Sequence, residues 1–122
     1  MNSLSETYTF TTQALMEAEN LSEVDIIENR IQNQVITIDP VGAKDLDDGI
    51  FVSLHTGCIV LDIAITDVSS FISPGSALDQ IAIARKHSIY DNFMPAPMLP
   101  PILSESKFSL LQNTERPTIT HR

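Results

Sequence analysis

Tryptophan is absent from the 122-residue sequence, and cysteine occurs once. A lone cysteine, Cys58, excludes an internal disulfide framework and predicts a reducing compartment. Because Cys58 lies in a strand-like run, we expect a small buried thiol. Long apolar runs are also missing, since no stretch reaches the roughly 18 apolar residues of a membrane helix. The first residues lack the basic-then-apolar order of a signal peptide, so the sequence predicts a cytoplasmic protein without a membrane partner.

Basic residues are scarce as well. Seven Lys and Arg residues stand against 16 Asp and Glu residues, which gives a formal net charge of −9. Phosphate contacts dominate nucleic-acid affinity, so an isolated RNA-binding domain is usually basic. The composition therefore excludes a typical free-standing RNA binder and fits a catalytic part that leaves the basic channel to other segments. A hydrophobic content of 43% predicts a globular chain.

Negative charge is concentrated at one point of the chain. Asp39, Asp45, Asp47 and Asp48 fall within ten residues, between two apolar runs. Four neighbouring anions repel one another, so the loop must be well solvated or neutralised by cations. Mg²⁺ binds through a few carboxylates while it keeps waters and substrate phosphates. Two interpretations remain open here: a solvated acidic turn, and a Mg²⁺ or Mn²⁺ site for phosphodiester chemistry.

Hydrophobic periodicity predicts an α/β (α+β) fold with a mixed, largely antiparallel sheet and flanking helices. Residues 1–10 carry no periodic signal and are expected to be disordered. Expected helices, each opened by a Ser or Thr cap, begin at Thr12, Ser22 and Ser76 and end near Leu21, Gln32 and His87. Expected strands cover 35–38, 50–54 and 58–66, with a hairpin turn at 55–57 and a further strand from Pro117.

Two aspartates lie in or after the strand at 58–66. Asp62 is explained either by an edge position, by a hydrogen bond or by a function. Asp67 either accepts backbone N–H groups of Ser69 and Ser70 in an Asx turn or supports the acidic loop from a neighbouring strand. Arg85, in the last turn of its helix, complements the helix dipole, and phosphate contact is secondary.

The acidic stretch resembles the motif that opens the catalytic RNB domain of the ribonuclease II and ribonuclease R exoribonucleases. Thr37-Ile38-Asp39, Ala43-Lys44 and Asp45-Leu46-Asp47-Asp48 reproduce its order, and Ile65-Thr66-Asp67-Val68-Ser69 resembles a later strand end with Thr66 in place of Ala. Further blocks follow in the same order at 74–79, 88–90, 98–100 and 108–111. The resemblance identifies residues 11–122 as the N-terminal portion of an RNB-type catalytic domain, and hence an incomplete RNB fold.

This resemblance implies a 3′→5′ exoribonuclease that releases nucleoside 5′-monophosphates from single-stranded RNA, not DNA, with Mg²⁺ or Mn²⁺. It implies that Asp39, Asp45, Asp47 and Asp48 are the metal ligands, with Asp47 and Asp48 also catalytic. Tyr90 matches an aromatic residue that stacks on a base near the RNA 3′ end, with a core tyrosine as the alternative. The expected partner is the remainder of an RNB domain, as a separate chain.

Two expectations concern this chain alone. The strands of 50–66 are apolar on both faces, and few segments remain to cover them, so we expect an exposed apolar patch. With few cations near the motif, we expect weak metal binding and immeasurably slow RNA degradation. The competing hypothesis is a non-catalytic acidic interaction module, or a decayed gene fragment that retains the fold.

Overall fold

The computed structural model describes residues 9–22, 32–93 and 95–122. A three-stranded antiparallel sheet, in the order β1-β2-β3, lies beside two short helices, which confirms the predicted fold class. The helix expected from Ser22 to Gln32 falls almost entirely outside the described residues. None of the described helices is long and apolar enough to cross a membrane. In chain order the elements are α1 (Thr12–Asn20), β1 (Asp48–His55), β2 (Cys58–Thr66), a 3₁₀ turn (Val68–Ser70), α2 (Ala77–Arg85), a π-helical turn (Leu103–Lys107) and β3 (Thr118–His121).

The β1–β2 hairpin is confirmed and begins earlier than predicted. Its pairing runs from Asp48 opposite Ile65 to His55 opposite Cys58, so His55 belongs to the strand and not to the turn. The turn consists of Thr56 and Gly57, at φ 40° and 84°. Two consecutive positive φ values are those of a tight two-residue turn whose twist matches the strands.

Two sequence predictions near this hairpin are wrong. The strand expected over 35–38 is reduced to a single bridge between Ile36 and Ile50. Ile36 and Ile38 are exposed, and among the described residues the pairing of this segment does not extend beyond Ile50, so their β-branched preference is not met by a longer ladder. Cys58 is exposed rather than buried, because it begins β2 directly beside the turn.

The buried core lies between the two helices and the C-terminal segment. Its members are Ala14, Ala18, Leu78, Leu99, Leu103 and Phe108. The rings of Phe71 and Phe108 meet at 5.1 Å between centroids. Thr11, and not Thr12, caps α1, since its hydroxyl accepts the N–H of Ala14 at 3.2 Å. Ser76 caps α2 as predicted.

Charged side chains join the ends of the helices. The carboxylate of Glu17 on α1 accepts the first N–H groups of α2, from Ala77 at 3.2 Å and Leu78 at 3.1 Å. The ammonium group of Lys107 donates to three carbonyl groups at the end of α1, at 2.8–3.0 Å. Both contacts satisfy helix-end groups that the helices cannot satisfy themselves.

The two faces of the sheet differ in burial. One face buries Asp62, Ala64 and Thr66 of β2. Asp62 is paired with Arg122, whose guanidinium donates to both carboxylate oxygens at 2.7 and 3.0 Å and lowers the pKa of the carboxyl. The opposite face, here called the aliphatic face, leaves its large side chains 38–80% exposed, which agrees with the expected patch. It consists of Val52, Leu54, Ile59, Leu61, Ile63, Ile65 and Ile119.

Candidate active site

The acidic loop, residues 39–48, connects the Ile36 bridge to the start of β1. The N–H of Ala43 donates to the carbonyl of Pro40 at 3.0 Å, which closes a turn. Gly42 occupies this turn at φ 91°, a conformation that glycine adopts without steric cost. The loop therefore folds back on itself between Asp39 and Asp45.

Ser109 holds the centre of this loop. Its fully buried hydroxyl donates to the carbonyl of Lys44 at 2.6 Å and accepts the N–H of Leu46 at 3.0 Å. The next amide, Leu110 N–H, donates to the carbonyl of Leu46 at 2.8 Å. The backbone on both sides of Asp45 is thus fixed by a segment more than 60 residues later in the sequence. Ser109 lies in the motif block at 108–111, but no role for this residue was predicted from the sequence.

The last two aspartates are placed by the sheet. Asp48 begins β1 opposite Ile65, and the carbonyl of Asp47 accepts the N–H of Thr66 at 3.0 Å. The hydroxyl of Thr66 in turn donates to the carbonyl of Phe108 at 2.8 Å. Gly49 follows, and a Cβ added there would lie 3.0 Å from Cγ2 of Val35. A side chain at this position would therefore require Val35 to shift by a few tenths of an ångström.

Asp67, at the end of β2, caps the 3₁₀ turn. Its Oδ1 accepts the N–H of Ser70 at 3.2 Å, as the Asx interpretation predicts. The same oxygen accepts the hydroxyl of Ser69 at 2.5 Å. Oδ2 also accepts the hydroxyl of Ser70 at 2.5 Å. These contacts explain Asp67 structurally.

The four aspartates act on one another electrostatically. The pKa of Asp47 is raised by partial burial of its carboxyl group, and the charges of Asp45, Asp48 and Asp39 raise it further. The other three candidate residues therefore lie within electrostatic range of Asp47. Hard oxygen donors of this kind suit Mg²⁺, which often takes only one or two protein carboxylates besides phosphate oxygens. Within the described ranges, no three His, Cys, Asp or Glu side chains are arranged to hold one metal ion.

Tyr90 reaches the acidic loop. Its hydroxyl donates a hydrogen bond to Oδ2 of Asp45, and this bond is the main cause of the raised pKa of the phenol. The side chain is 76% exposed, so a core role for Tyr90 is wrong. An exposed ring that contacts the acidic loop through Asp45 is available for stacking.

The neighbouring cations are largely engaged elsewhere. Lys44 lies 3.6 Å from a carboxylate oxygen of Glu105. Arg85 donates to the carbonyl groups of Pro97 and Thr9 and lies 4.1 Å from the centre of the Phe10 ring. Arg85 thus has a structural role, as the sequence analysis favoured.

The sequence of this chain is similar to that of known exoribonucleases. Ribonuclease R from Chlamydia muridarum (strain MoPn / Nigg) is 44% identical over 81 residues, which are 66% of this chain and 12% of that protein. Exoribonuclease 2 from Buchnera aphidicola subsp. Baizongia pistaciae is 38% identical over 105 residues, 85% of this chain and 15% of that protein.

Solved structures of RNase R also superpose on this chain. Mycoplasma genitalium RNase R in complex with double-stranded RNA superposes with a TM-score of 0.80 and 28% identity, over 96% of this chain and 22% of that one. The same enzyme with ribose methylated single-stranded RNA gives a TM-score of 0.78. This chain thus spans less than a quarter of the length of these relatives. Since the RNB domain model matches residues 28–122, the chain belongs to the RNB domain family.

Proposed function

We propose that this chain supplies the acidic part of an exoribonuclease active site that degrades single-stranded RNA from its 3′ end to nucleoside 5′-monophosphates. The observation that carries the proposal is the contact between Tyr90 and Asp45, which joins an exposed aromatic ring to the acidic loop of an RNB-family chain. The relatives that it resembles are named ribonuclease R and exoribonuclease 2, which supports an RNA substrate.

Asp39, Asp45, Asp47 and Asp48 are the residues that would hold Mg²⁺ or Mn²⁺. Bound divalent cations make a water nucleophilic near neutral pH and neutralise charge on the phosphoryl oxygens. Asp47 carries the repulsion of its three neighbours, which a nearby cation would relieve. Asp47 and Asp48 adjoin the rigid hairpin, and we assign the catalytic roles to these two.

Tyr90 is the candidate RNA contact. Its exposed ring offers a stacking surface that accepts every base, at roughly 1–3 kcal/mol per base. Stacking near the 3′ end would place the terminal phosphodiester against the acidic loop, because the hydroxyl of the same side chain contacts Asp45. The chain's own contribution is therefore orientation of the strand end and of the carboxylates.

The missing contribution is a cation for the phosphoryl charge. Lys44 and Arg85 are engaged in the contacts described above, and the net charge of −9 repels RNA. Loss of one well-placed electrostatic stabiliser costs about 10²–10³ in rate. We therefore propose that the remainder of an RNB domain completes the site, in cis or as a separate chain. The aliphatic face is the surface that these further segments would cover, since its large apolar side chains are exposed.

The test combines calorimetry with an RNA assay. Titration of the purified chain with Mn²⁺ is expected to give weak binding that is lost in the double variant Asp47→Asn with Asp48→Asn. The variant Glu19→Gln on α1, which removes one negative charge away from the loop, should keep that binding. Release of 5′-monophosphates from end-labelled single-stranded RNA is expected to be immeasurably slow for the chain alone. Addition of the remaining RNB domain should restore it in an Asp47-dependent manner.

Two outcomes would contradict this assignment. Absence of Mn²⁺ binding in the millimolar range would favour a non-catalytic acidic interaction module. Rapid, Asp47-dependent degradation by these 122 residues alone would mean that the rest of an RNB domain is dispensable for the reaction.

A further inference from the structure

We propose that the hydroxyl group of Tyr90 positions Asp45 for metal binding, so that one side chain couples base stacking to the carboxylates. This inference rests on the proposed function of the acidic loop. It assigns to the hydroxyl a task separate from that of the ring. Metal and RNA would then strengthen each other's binding through Tyr90.

The backbone of Tyr90 is held in place on its N-terminal side. Ile89 and Ala96 exchange two backbone hydrogen bonds, at 2.8 and 2.9 Å. The hydroxyl of the preceding Ser88 accepts the N–H of Met98 at 2.9 Å. From this anchored position, the phenol reaches a carboxylate 45 residues earlier in the sequence.

The backbone of Asp45 is fixed independently. Ser109 binds the carbonyl before it and the amide after it, so the side-chain torsions are the freedom that remains at Asp45. The hydrogen bond from Tyr90 restricts that freedom. Outer groups that hydrogen-bond a ligating carboxylate orient it in this way in metal sites.

The two oxygens of Asp45 are used differently. Oδ2 accepts the phenol, whereas Oδ1 accepts no hydrogen bond from any described residue. One oxygen is therefore anchored and the other is free to face a cation. The hydrogen bond to Asp45 also limits where the ring of Tyr90 lies. Metal binding at Asp45 and base stacking on Tyr90 therefore both favour the arrangement in which this bond is formed. A coupling of this kind is reciprocal between the two ligands.

A purely structural role of the Tyr90 hydroxyl and a positioning role predict different effects of its removal. The side chain of Tyr90 is 76% exposed, so loss of its hydroxyl bond should change the stability of the chain little. A positioning role instead predicts a change in metal affinity without a change in unfolding temperature. Tyr90→Phe separates these roles, because it removes the hydroxyl and keeps the ring.

The experiment is Mn²⁺ titration calorimetry on the full chain and its variants. Tyr90→Phe is expected to weaken Mn²⁺ binding roughly tenfold, the lower range for outer-shell partners, at an unchanged unfolding temperature. In the Asp45→Asn background, Tyr90→Phe should have no additional effect, because the two residues act as one unit. Tyr8→Phe, at the other tyrosine of the sequence, is the matched control and should bind as the parent chain does.

A second measurement reads the coupling from the RNA side, with fluorescently labelled oligo(A). In EDTA, Tyr90→Phe should bind oligo(A) as the parent chain does, because the ring remains, and Tyr90→Ala should bind more weakly. On addition of Mn²⁺, the parent chain should gain more affinity than Tyr90→Phe. This difference is the signature of coupling through the hydroxyl.

The possible failures are distinguishable. Equal Mn²⁺ affinity of the parent chain and Tyr90→Phe would overturn the inference and leave the proposed metal site standing. An effect of Tyr90→Phe that persists in Asp45→Asn would also overturn it, since the hydroxyl would then act through another group. A parent chain that binds no Mn²⁺ would overturn both this inference and the proposed function.

Discussion

Ionisation of Asp47 is unfavourable in the folded chain. Its pKa is raised above 3.8, chiefly by partial burial and then by Asp45, Asp48 and Asp39. Ionisation is therefore more costly in the folded than in the unfolded chain. The resulting loss of stability begins as the pH rises through the pKa of Asp47 in the unfolded chain. It is complete once the pH exceeds the pKa of Asp47 in the folded chain. A residue kept at such a cost is a candidate for function.

Asp47→Asn is expected to raise the unfolding temperature of the metal-free chain at pH 7, because the amide cannot ionise. Well below the pKa of the unfolded carboxyl the difference should vanish, since the parent carboxyl is then protonated in both states. Thermal unfolding in EDTA, followed from pH 7 into this acidic range, measures the difference. Glu19→Gln, which removes one negative charge from α1, is the control. A lower unfolding temperature of Asp47→Asn at pH 7 would contradict the repulsion described here.

The acidic loop depends on elements that are distant in sequence. Ser109, which follows the π-helical turn, holds the loop around Asp45, and Thr66 at the end of β2 holds the carbonyl of Asp47. The loop is therefore organised by the strand end and the C-terminal segment rather than by its own residues. Such support from neighbouring elements is what a preorganised site requires.

Ser109→Ala is expected to destabilise the chain by about 1–3 kcal/mol, because it leaves the carbonyl of Lys44 and the amide of Leu46 without their partner. Denaturant unfolding measures the change. The exposed Ser106, in the π-helical turn that precedes Ser109, provides the matched variant Ser106→Ala, for which a change within about 0.5 kcal/mol is expected. Equal stabilities of the two variants would contradict the role given to Ser109.

Gly49 tests the contact between β1 and the segment before the loop. In Gly49→Ala the new Cβ would lie 3.0 Å from Cγ2 of Val35, so we expect a loss of about 1–3 kcal/mol and faster hydrogen exchange at Ile36 and Ile50. Adding Val35→Ala makes room for the methyl group and should restore part of the protection. No rescue by Val35→Ala would mean that steric crowding is not the cause.

The whole molecule exposes one face of its sheet. Helices and the C-terminal segment supply the core around Phe108, while the aliphatic face keeps its large side chains accessible. A contiguous apolar surface of this kind marks an interaction site in a soluble protein. Asp48, at the end of the acidic loop, is paired with Ile65 of this face, which agrees with the proposal that further RNB-domain segments complete the site.

A cross-strand pair on this face allows the docking proposal to be tested. Leu54 and Ile59 are opposite each other and 80% and 74% exposed. The double variant Leu54→Lys with Ile59→Glu keeps the net charge and offers a favourable charge pair, so we expect stability to change by less than about 1 kcal/mol. Binding of an apolar dye, and reconstitution with the remaining RNB domain, should be lost.

Ile83→Lys is the control for that variant, because Ile83 is 66% exposed on α2, away from the sheet. It should leave both dye binding and reconstitution close to those of the parent chain. Retained reconstitution by the double variant on the sheet would place the docking surface elsewhere.

Local features of this protein were predictable from the sequence alone. The hairpin turn, the cap of α2 by Ser76 and the clustering of Asp39, Asp45, Asp47 and Asp48 arise from residues that are near one another in the chain. Backbone sterics, capping and charge repulsion act over a few residues, so a sequence pattern records them directly.

The tertiary structure alone decided which surfaces are buried and which side chains meet. It exposes Cys58 and reduces the strand at 35–38 to one bridge, because burial and pairing depend on what other segments cover. It also brings Ser109 and Tyr90 to Asp45, across 45 residues or more of intervening chain. No local pattern specifies such contacts, since they follow from how the sheet, the helices and the C-terminal segment pack together.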